Sequence, residues 1–257
     1  MSLYEHFRKE EHAFVDQVLD WKAIVELEYR PKLTDFLDPR QQKIVQLLVG
    51  SHDDVHVSFW GGHSEAERKR ALLYPDYITP VNEDFRLTAF ELRYPSKFIT
   101  IEHSQILGSL MSIGMKREKF GDILSEEDQF QLILSEEVAD YVVLNLQSVG
   151  KAKVELKPIS EDDVMKQVKE LEETFVTVSS LRVDTVISEA FHLSRSKVKP
   201  AIVSEKVKVN WKVINDPAFQ LEKGDVLSFR GKGRCEIVEM EGQTKKGKQR
   251  LILGFPK

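Results

Sequence analysis

Apolar side chains at Phe14, Val18, Trp21 and Val25 recur at three- and four-residue steps, with Phe7 ahead of them. That spacing lines one face of a helix, and Pro31 stops it. Ile44, Val45, Leu47 and Leu48 share a face in a second helix predicted over 40–49. Residues 56–60 alternate like a strand and end at Gly61–Gly62. Ser64 with Glu67 three residues on has the spacing of a capping box, which predicts a charged helix next. The N-terminal part, 1–80, is therefore expected to be mainly helical.

The pattern then changes period. Leu87, Ala89, Glu91 and Arg93 alternate against Thr88, Phe90, Leu92 and Tyr94 in a strand over 85–94. Ile106, Leu110 and Ile113 mark a helix over 103–113, and two short strands follow at 121–124 and 129–134. Val138, Val142, Leu146 and Val149 face inward from a helix over 136–149, and residues 153–159 make a last strand. The order β-α-β-β-α-β over 81–160 is the ferredoxin-like, RRM-like arrangement. That fold has many roles and does not establish one. The acidic, polar stretch Ser160 to Thr174 is expected to be a short helix or linker.

In 175–257 a helix is expected from Leu181 to Phe191, with Val183, Ile187 and Ala190 on its core face. Ser194 is placed to cap a second helix, in which Arg195 and Lys199 share a face. A strand should then turn Val207, Val209, Trp211 and Val213 to one side, and Lys208, Asn210 and Lys212 to the other. Gly224–Asp225, a strand to Phe229 and the turn Arg230-Gly231-Lys232-Gly233-Arg234 complete the pattern. Charge sharpens the picture. The net −5 hides 16 Lys and Arg against 9 Asp and Glu in 175–257, or +7, beside 21 against 33 in 1–174, or −12. Such asymmetry suits a part built for a polyanion, the alternative being a basic domain balanced by an acidic neighbour. A basic helix face beside a basic sheet edge can follow RNA phosphates, and Gly231 and Gly233 let the main chain come close.

These residues resemble the S4 RNA-binding domain. The resemblance runs in order through Leu181-Arg182-Val183-Asp184, Leu193-Ser194-Arg195-Ser196-Lys197, Val207-Lys208-Val209-Asn210, Gly224-Asp225 and Gly231-Lys232-Gly233. It implies RNA-facing roles for Arg182, Ser194, Arg195, Ser196, Lys197, Lys199, Lys208, Asn210, Arg230 and Lys232. Asp184 is expected to hold the helix pair through a nearby donor. Two departures stand out: Glu205 where the domain usually has Gly, and Pro200 inside the second helix. With Phe59-Trp60-Gly61-Gly62, Ala66-Glu67-Arg68-Lys69-Arg70 and Val207 to Trp211, the chain as a whole resembles the YlmH family of Gram-positive bacteria. The resemblance implies an α+β chain with a helical N-terminal part, a ferredoxin-like middle and a C-terminal S4 domain. It also implies a cytoplasmic protein linked to division gene clusters. Kinship with S4 proteins of stalled large ribosomal subunits implies rRNA and tRNA as partners, with no DNA and no membrane.

Catalytic chemistry finds little support in the sequence. The one Arg-x-Asp, Arg182-Val183-Asp184, and the one Gly-x-Gly, Gly231-Lys232-Gly233, both lie inside the S4 pattern. No Walker-type loop, Rossmann turn or synthetase signature is present. His52 and His56 beside Asp53 and Asp54, His63 with Glu67, and the acidic runs 126–128 and 161–163 read as polar loops, a capped helix and solvated helix starts rather than metal or acid–base sites. Phe59 and Trp60 could stack on bases but suit a core strand. Cys235, the single cysteine, allows no internal disulfide and fits a reducing compartment, as a plain strand residue. The N-terminus lacks a secretory pattern, and no run of about 18 apolar residues could span a membrane. A non-enzymatic RNA-binding factor without cofactor or metal is the expectation; an RNA-modifying enzyme and a division adaptor are its rivals.

Overall fold

The computed structural model describes residues 3–7, 9–50, 54–166 and 171–256. It divides into two compact units, Met1–Gln167 and Val168–Lys257.

The first unit opens with α1 (His12–Glu28), β1 (Lys32–Leu37), α2 (Pro39–Val49), β2 (Val55–Trp60) and β3 (Lys69–Pro75). The strands form an antiparallel sheet in the order β1-β3-β2. Helix α2 starts where Asp38 and Gln41 exchange side-chain and backbone hydrogen bonds of 2.9 Å, with Pro39 in the first turn. Val18, Val25, Val45 and Val49 close a core over Leu37, Ala71 and Leu73. Leu47, expected on the core face, is exposed.

The charged helix expected after Ser64 does not form. The Asp122 carboxylate instead accepts from the main-chain N–H groups of Glu67 and Arg68, at 2.6 and 3.1 Å. The chain then enters β3, the centre strand, which is buried from Arg70 to Leu73.

Next come β4 (Leu87–Arg93), α3 (His103–Ser112), β5 (Phe120–Glu126), β6 (Gln129–Ser135), α4 (Glu136–Asn145), a small hairpin of β7 (Ser148–Val149) and β8 (Ala152–Lys153), and β9 (Glu155–Ile159). The antiparallel sheet order β5-β6-β4-β9 is the ferredoxin-like topology. Helix α4 stops four residues before the expected Val149. The run 126–128 sits at the β5–β6 turn, not at a helix start.

Phe90, Leu92, Leu132 and Leu134 meet Ile106, Leu110 and Val142 on the helix side of the sheet. On the other side Ala89, Ile133 and Ile159 pack with Phe36 of β1, Leu124 and Val164. RRM-type domains stack bases on aromatic side chains of that second face. Here β4 and β6 offer it Leu87, Ala89, Glu91, Arg93, Gln129, Gln131, Ile133 and Ser135, with no aromatic among them.

The second unit contains β10 (Leu171–Val178), α5 (Val183–Ala190), α6 (Arg195–Val203), β11 (Val207–Val209), β12 (Lys212–Ile214), β13 (Val226–Phe229), β14 (Gly233–Gln243) and β15 (Gln249–Pro256). Its sheet runs β10-β15-β14-β13-β11-β12. Val183, Val186, Ile187, Val198 and Ile202 cover Val207, Leu227, Cys235, Ile237, Leu251 and Leu253.

Two expectations change here. Residues 171–174, expected in a linker, belong to β10, because they pair with Leu253 to Pro256; Glu161–Asp163 is a single 3-10 turn, and 167–170 lie outside the described residues. The single strand expected over 207–213 is two strands around a turn at Asn210–Trp211. Val213 therefore lies opposite Lys208 and Lys212 opposite Val209, which reverses their expected sides. Pro200 lies inside α6, as expected, and the helix runs on to Val203.

Candidate nucleic-acid interface

Arg182 and Asp184 begin the site. Asp184 is 1 % exposed in the first turn of α5 and receives both arms of Arg182, Nε at 3.0 Å and Nη2 at 3.2 Å. Burial pushes the Asp184 carboxyl up. The Arg182 hydrogen bonds and the nearby Arg195 charge outweigh it and hold the group below the usual carboxylate range. Thr185 Oγ1 donates to Asp184 at 3.3 Å, and Arg195 donates to Thr185 Oγ1 and, at 3.1 Å, to Ser179 Oγ. The start of α6 is thus tied to the start of α5 through Thr185, whose hydroxyl also meets Asp184, and Arg182 is the charged donor to Asp184.

Ser194 occupies the N-cap position of α6, but its side chain makes no capping bond. Its hydroxyl lies 2.9 Å from that of Ser196. Val198 and Ile202 turn into the core, which leaves Arg195, Ser196, Lys197 and Lys199 exposed. At the far end, Lys206 N–H donates to the Ala201 carbonyl and Arg230 N–H to the Lys206 carbonyl. A helix of nine residues spans roughly 13 Å. Cations therefore run from the start of α6 around its end to Lys208 and Arg230, with Lys232 in the following turn. Among the described residues, none of Lys197, Lys199, Lys206, Lys208, Arg230 and Lys232 is in an ion pair.

Asn210 departs from the expected role. Its Nδ2 donates to Asp225 at 2.7 Å and its Oδ1 accepts from Val226 N–H at 2.9 Å. The amide is spent on holding β11 to β13. A cluster absent from the expected set lies at the β14–β15 tip: Lys245, Lys246, Lys248 and Arg250, with Thr244 Oγ1 accepting from Lys248 N–H at 3.0 Å. Gln249 pairs with Val178, one residue before Ser179, so this tip adjoins Arg195. Its sequence signal was the lysine run itself.

Three comparisons bear on this surface. Residues 10–78 match "YlmH, N-terminal", residues 80–163 match "Putative RNA-binding domain in YlmH", and residues 181–227 match "S4 domain". The chain is 49% identical over 250 residues to "Ribosome-associated protein quality control protein P2" of Bacillus subtilis (strain 168), covering 97% of each chain. The chain belongs to the YlmH family. Among solved structures it is similar to "Cell division protein ylmH from Streptococcus pneumoniae", with 29% identity and a TM-score of 0.56 over 64% of this chain and 100% of that one.

Two residues of this YlmH-family S4 domain give predictions of their own. Glu205 has φ +58° in the turn after α6, where Lys206 N–H reaches back to the Ala201 carbonyl. That left-handed position favours Gly. Glu205→Gly is expected to raise stability by roughly 0.5–1 kcal/mol, read as the urea midpoint. It should also tighten RNA binding, because a carboxylate beside Lys206, Lys208 and Arg230 is lost. Cys235 is fully buried in the core, and burial pushes its thiol up to about 12. A thiol reagent at pH 8 should therefore modify the native chain only as fast as the unit opens, and the unfolded chain at once.

Elsewhere, His63 lies buried with Nε2 3.4 Å from Asp122 Oδ2. Burial pushes Asp122 up, while His63 and the two N–H donors hold it down more strongly. His63 is thus part of the fold's interior, and the capped helix start expected from His63 and Glu67 does not form. Phe59 packs on the core of α1 and α2. No cluster of three metal-ligating side chains occurs among the described residues, outside which His52 and Asp53 lie. No helix among them is long and apolar enough to cross a membrane.

Proposed function

We propose that this YlmH-family chain is a cytoplasmic, non-enzymatic factor that binds structured RNA on the ribosome. The observation that carries the reading is the track of unpaired cations along α6 and onto Lys208 and Arg230. Lys and Arg neutralise phosphates, and the shape of the paired surface selects the RNA. The name of the Bacillus subtilis relative supports the ribosome as the setting and quality control as the task. In the finer reading, the S4 domain grips rRNA of the large subunit together with tRNA and holds the tRNA while a stalled chain is rescued. Arg182, Ser194, Arg195, Ser196, Lys197, Lys199, Lys208, Arg230 and Lys232 carry the contact, and Asn210 shapes it.

The test is sedimentation of the purified chain with small subunits, large subunits and whole ribosomes over a salt series. Pelleting with large subunits that is lost as salt rises supports the proposal. Free protein at every salt, with intact particles, overturns it. Incubation with RNA followed by nucleoside analysis tests the absence of catalysis, and any modified base formed with turnover refutes it.

The name of the Streptococcus pneumoniae structure favours a second reading, an adaptor in cell division. A contact with a division protein that survives RNase, with no RNA binding at low salt, would select it.

A further inference from the structure

We infer that Trp211 is a base-stacking residue, which with Arg234 forms a platform on the outer face of the second unit's sheet for an unpaired RNA nucleobase. The inference rests on the RNA-binding reading above and names what that site takes besides phosphate.

The turn between β11 and β12 has two residues, because Val209 pairs with Lys212 across it. Both have positive φ, +48° at Asn210 and +64° at Trp211. Tight hairpins of this kind favour Asn at the first position and Gly at the second. Asn210 suits its place and adds two side-chain bonds to β13. Trp211 stands where Gly would fit without strain.

Core packing does not account for it. The unit's apolar core takes Val207, Val209, Leu227, Phe229 and Cys235 from these strands, and Trp211 is not part of it. Lys208, Ser228 and Arg234 alternate with those residues and form one row across the opposite face. The Arg234 guanidinium lies 5.4 Å from the centre of the Trp211 ring, so the indole sits on that outer side. It is half-buried there.

Strained residues held without a packing reason mark working positions. An indole with a guanidinium on it, beside Lys208, has the parts that hold single-stranded RNA: an aromatic face for the base and cations for its phosphates. The middle domain's sheet, which carries no aromatic on its second face, leaves this role open.

The experiment compares wild type, Trp211→Gly and Trp211→Phe on two fluorescein-labelled probes, an RNA hairpin with an unpaired loop and a blunt RNA duplex. Trp211→Gly is expected to weaken binding of the looped hairpin about tenfold and to leave the duplex nearly unchanged. The salt slope should stay the same because no cation is lost. Trp211→Phe should recover most of the affinity. The urea midpoint of Trp211→Gly should equal or exceed that of wild type, since Gly suits the turn. Equal binding of the looped hairpin by wild type and Trp211→Gly overturns the inference. So does a lowered urea midpoint with equal losses on both probes, which marks a packing role. If wild type binds neither probe at low salt, the RNA-binding reading itself falls and takes this one with it.

Discussion

Arg70→Ala is expected to lower the stability of the first unit by about 3 kcal/mol, a fall of about 1–2 M in its urea midpoint. The Arg70 side chain is 3 % exposed. Its Nε donates to the Thr34 carbonyl at 2.6 Å, Nη1 to the Phe85 and Arg86 carbonyls at 3.2 Å, and the two terminal nitrogens grip Glu137 at 3.2 and 2.9 Å. One side chain on β3 thereby joins β1, the entrance to β4 and the first turn of α4. Alanine withdraws this donor from the Thr34, Phe85 and Arg86 carbonyls, of which Arg86 keeps the Glu136 N–H at 2.9 Å, and a buried unmet acceptor costs more than a hydrogen bond contributes. Tryptophan emission reports the transition, since Trp21 and Trp60 lie in this unit. A midpoint within error of wild type would refute the assignment.

Glu137→Gln should be milder, about 1 kcal/mol, because this carboxylate is 42 % exposed and solvent screens its charge. Burial pushes Glu137 up, yet the Arg70 hydrogen bonds and charge bring it down to about 2, from an ordinary 4.5. A folded pKa below the unfolded one makes the contribution complete above pH 4.5 and lost as the pH falls toward 2. The gap between wild type and Glu137→Gln should therefore close over that window, and a gap independent of pH would argue against the ion pair.

Legibility of the fold followed the distance over which its causes act. The β-α-β-β-α-β order was readable because 87–93 and 103–112 each keep one period along their length. Strand β1 was not. A register shift between Leu33 and Phe36 breaks its alternation, and the adjacent Phe36 and Leu37 are buried in different clusters, one against Leu124 and Ile133 and the other beneath the helices. Strand β3 looked helical because Ser64 and Glu67 mimic a cap, while the carboxylate that claims the neighbouring amides, Asp122, lies more than fifty residues on. The turn at Asn210 was hidden by a Trp where Gly would have announced it. The cations of α6 were legible because exposure there follows from Val198 and Ile202 facing the core. The commitment of Asn210 was not, since its partner Asp225 comes from another strand end.

The α6 cations lead to the second large effect. Arg195→Ala with Lys199→Ala is expected to weaken RNA binding at least about tenfold near 0.1 M salt and to flatten the log–log salt slope by about 2. The slope counts phosphates neutralised, so it separates charge from shape, which affinity alone cannot do. The two residues are unequal. Lys199 is exposed and, among the described residues, outside any ion pair, so Lys199→Ala should flatten the slope by about 1 and leave the urea midpoint in place. Arg195 also holds Thr185 and Ser179, so its loss loosens the joint between α5 and α6 as well as removing a charge. Arg195→Lys keeps the charge without the guanidinium's geometry. It should therefore retain the salt slope while losing affinity, if positioning by Thr185 and Ser179 matters. A folded double variant with unchanged slope would mean that RNA does not run along α6, and the cations of the β14–β15 tip would then be the next place to look.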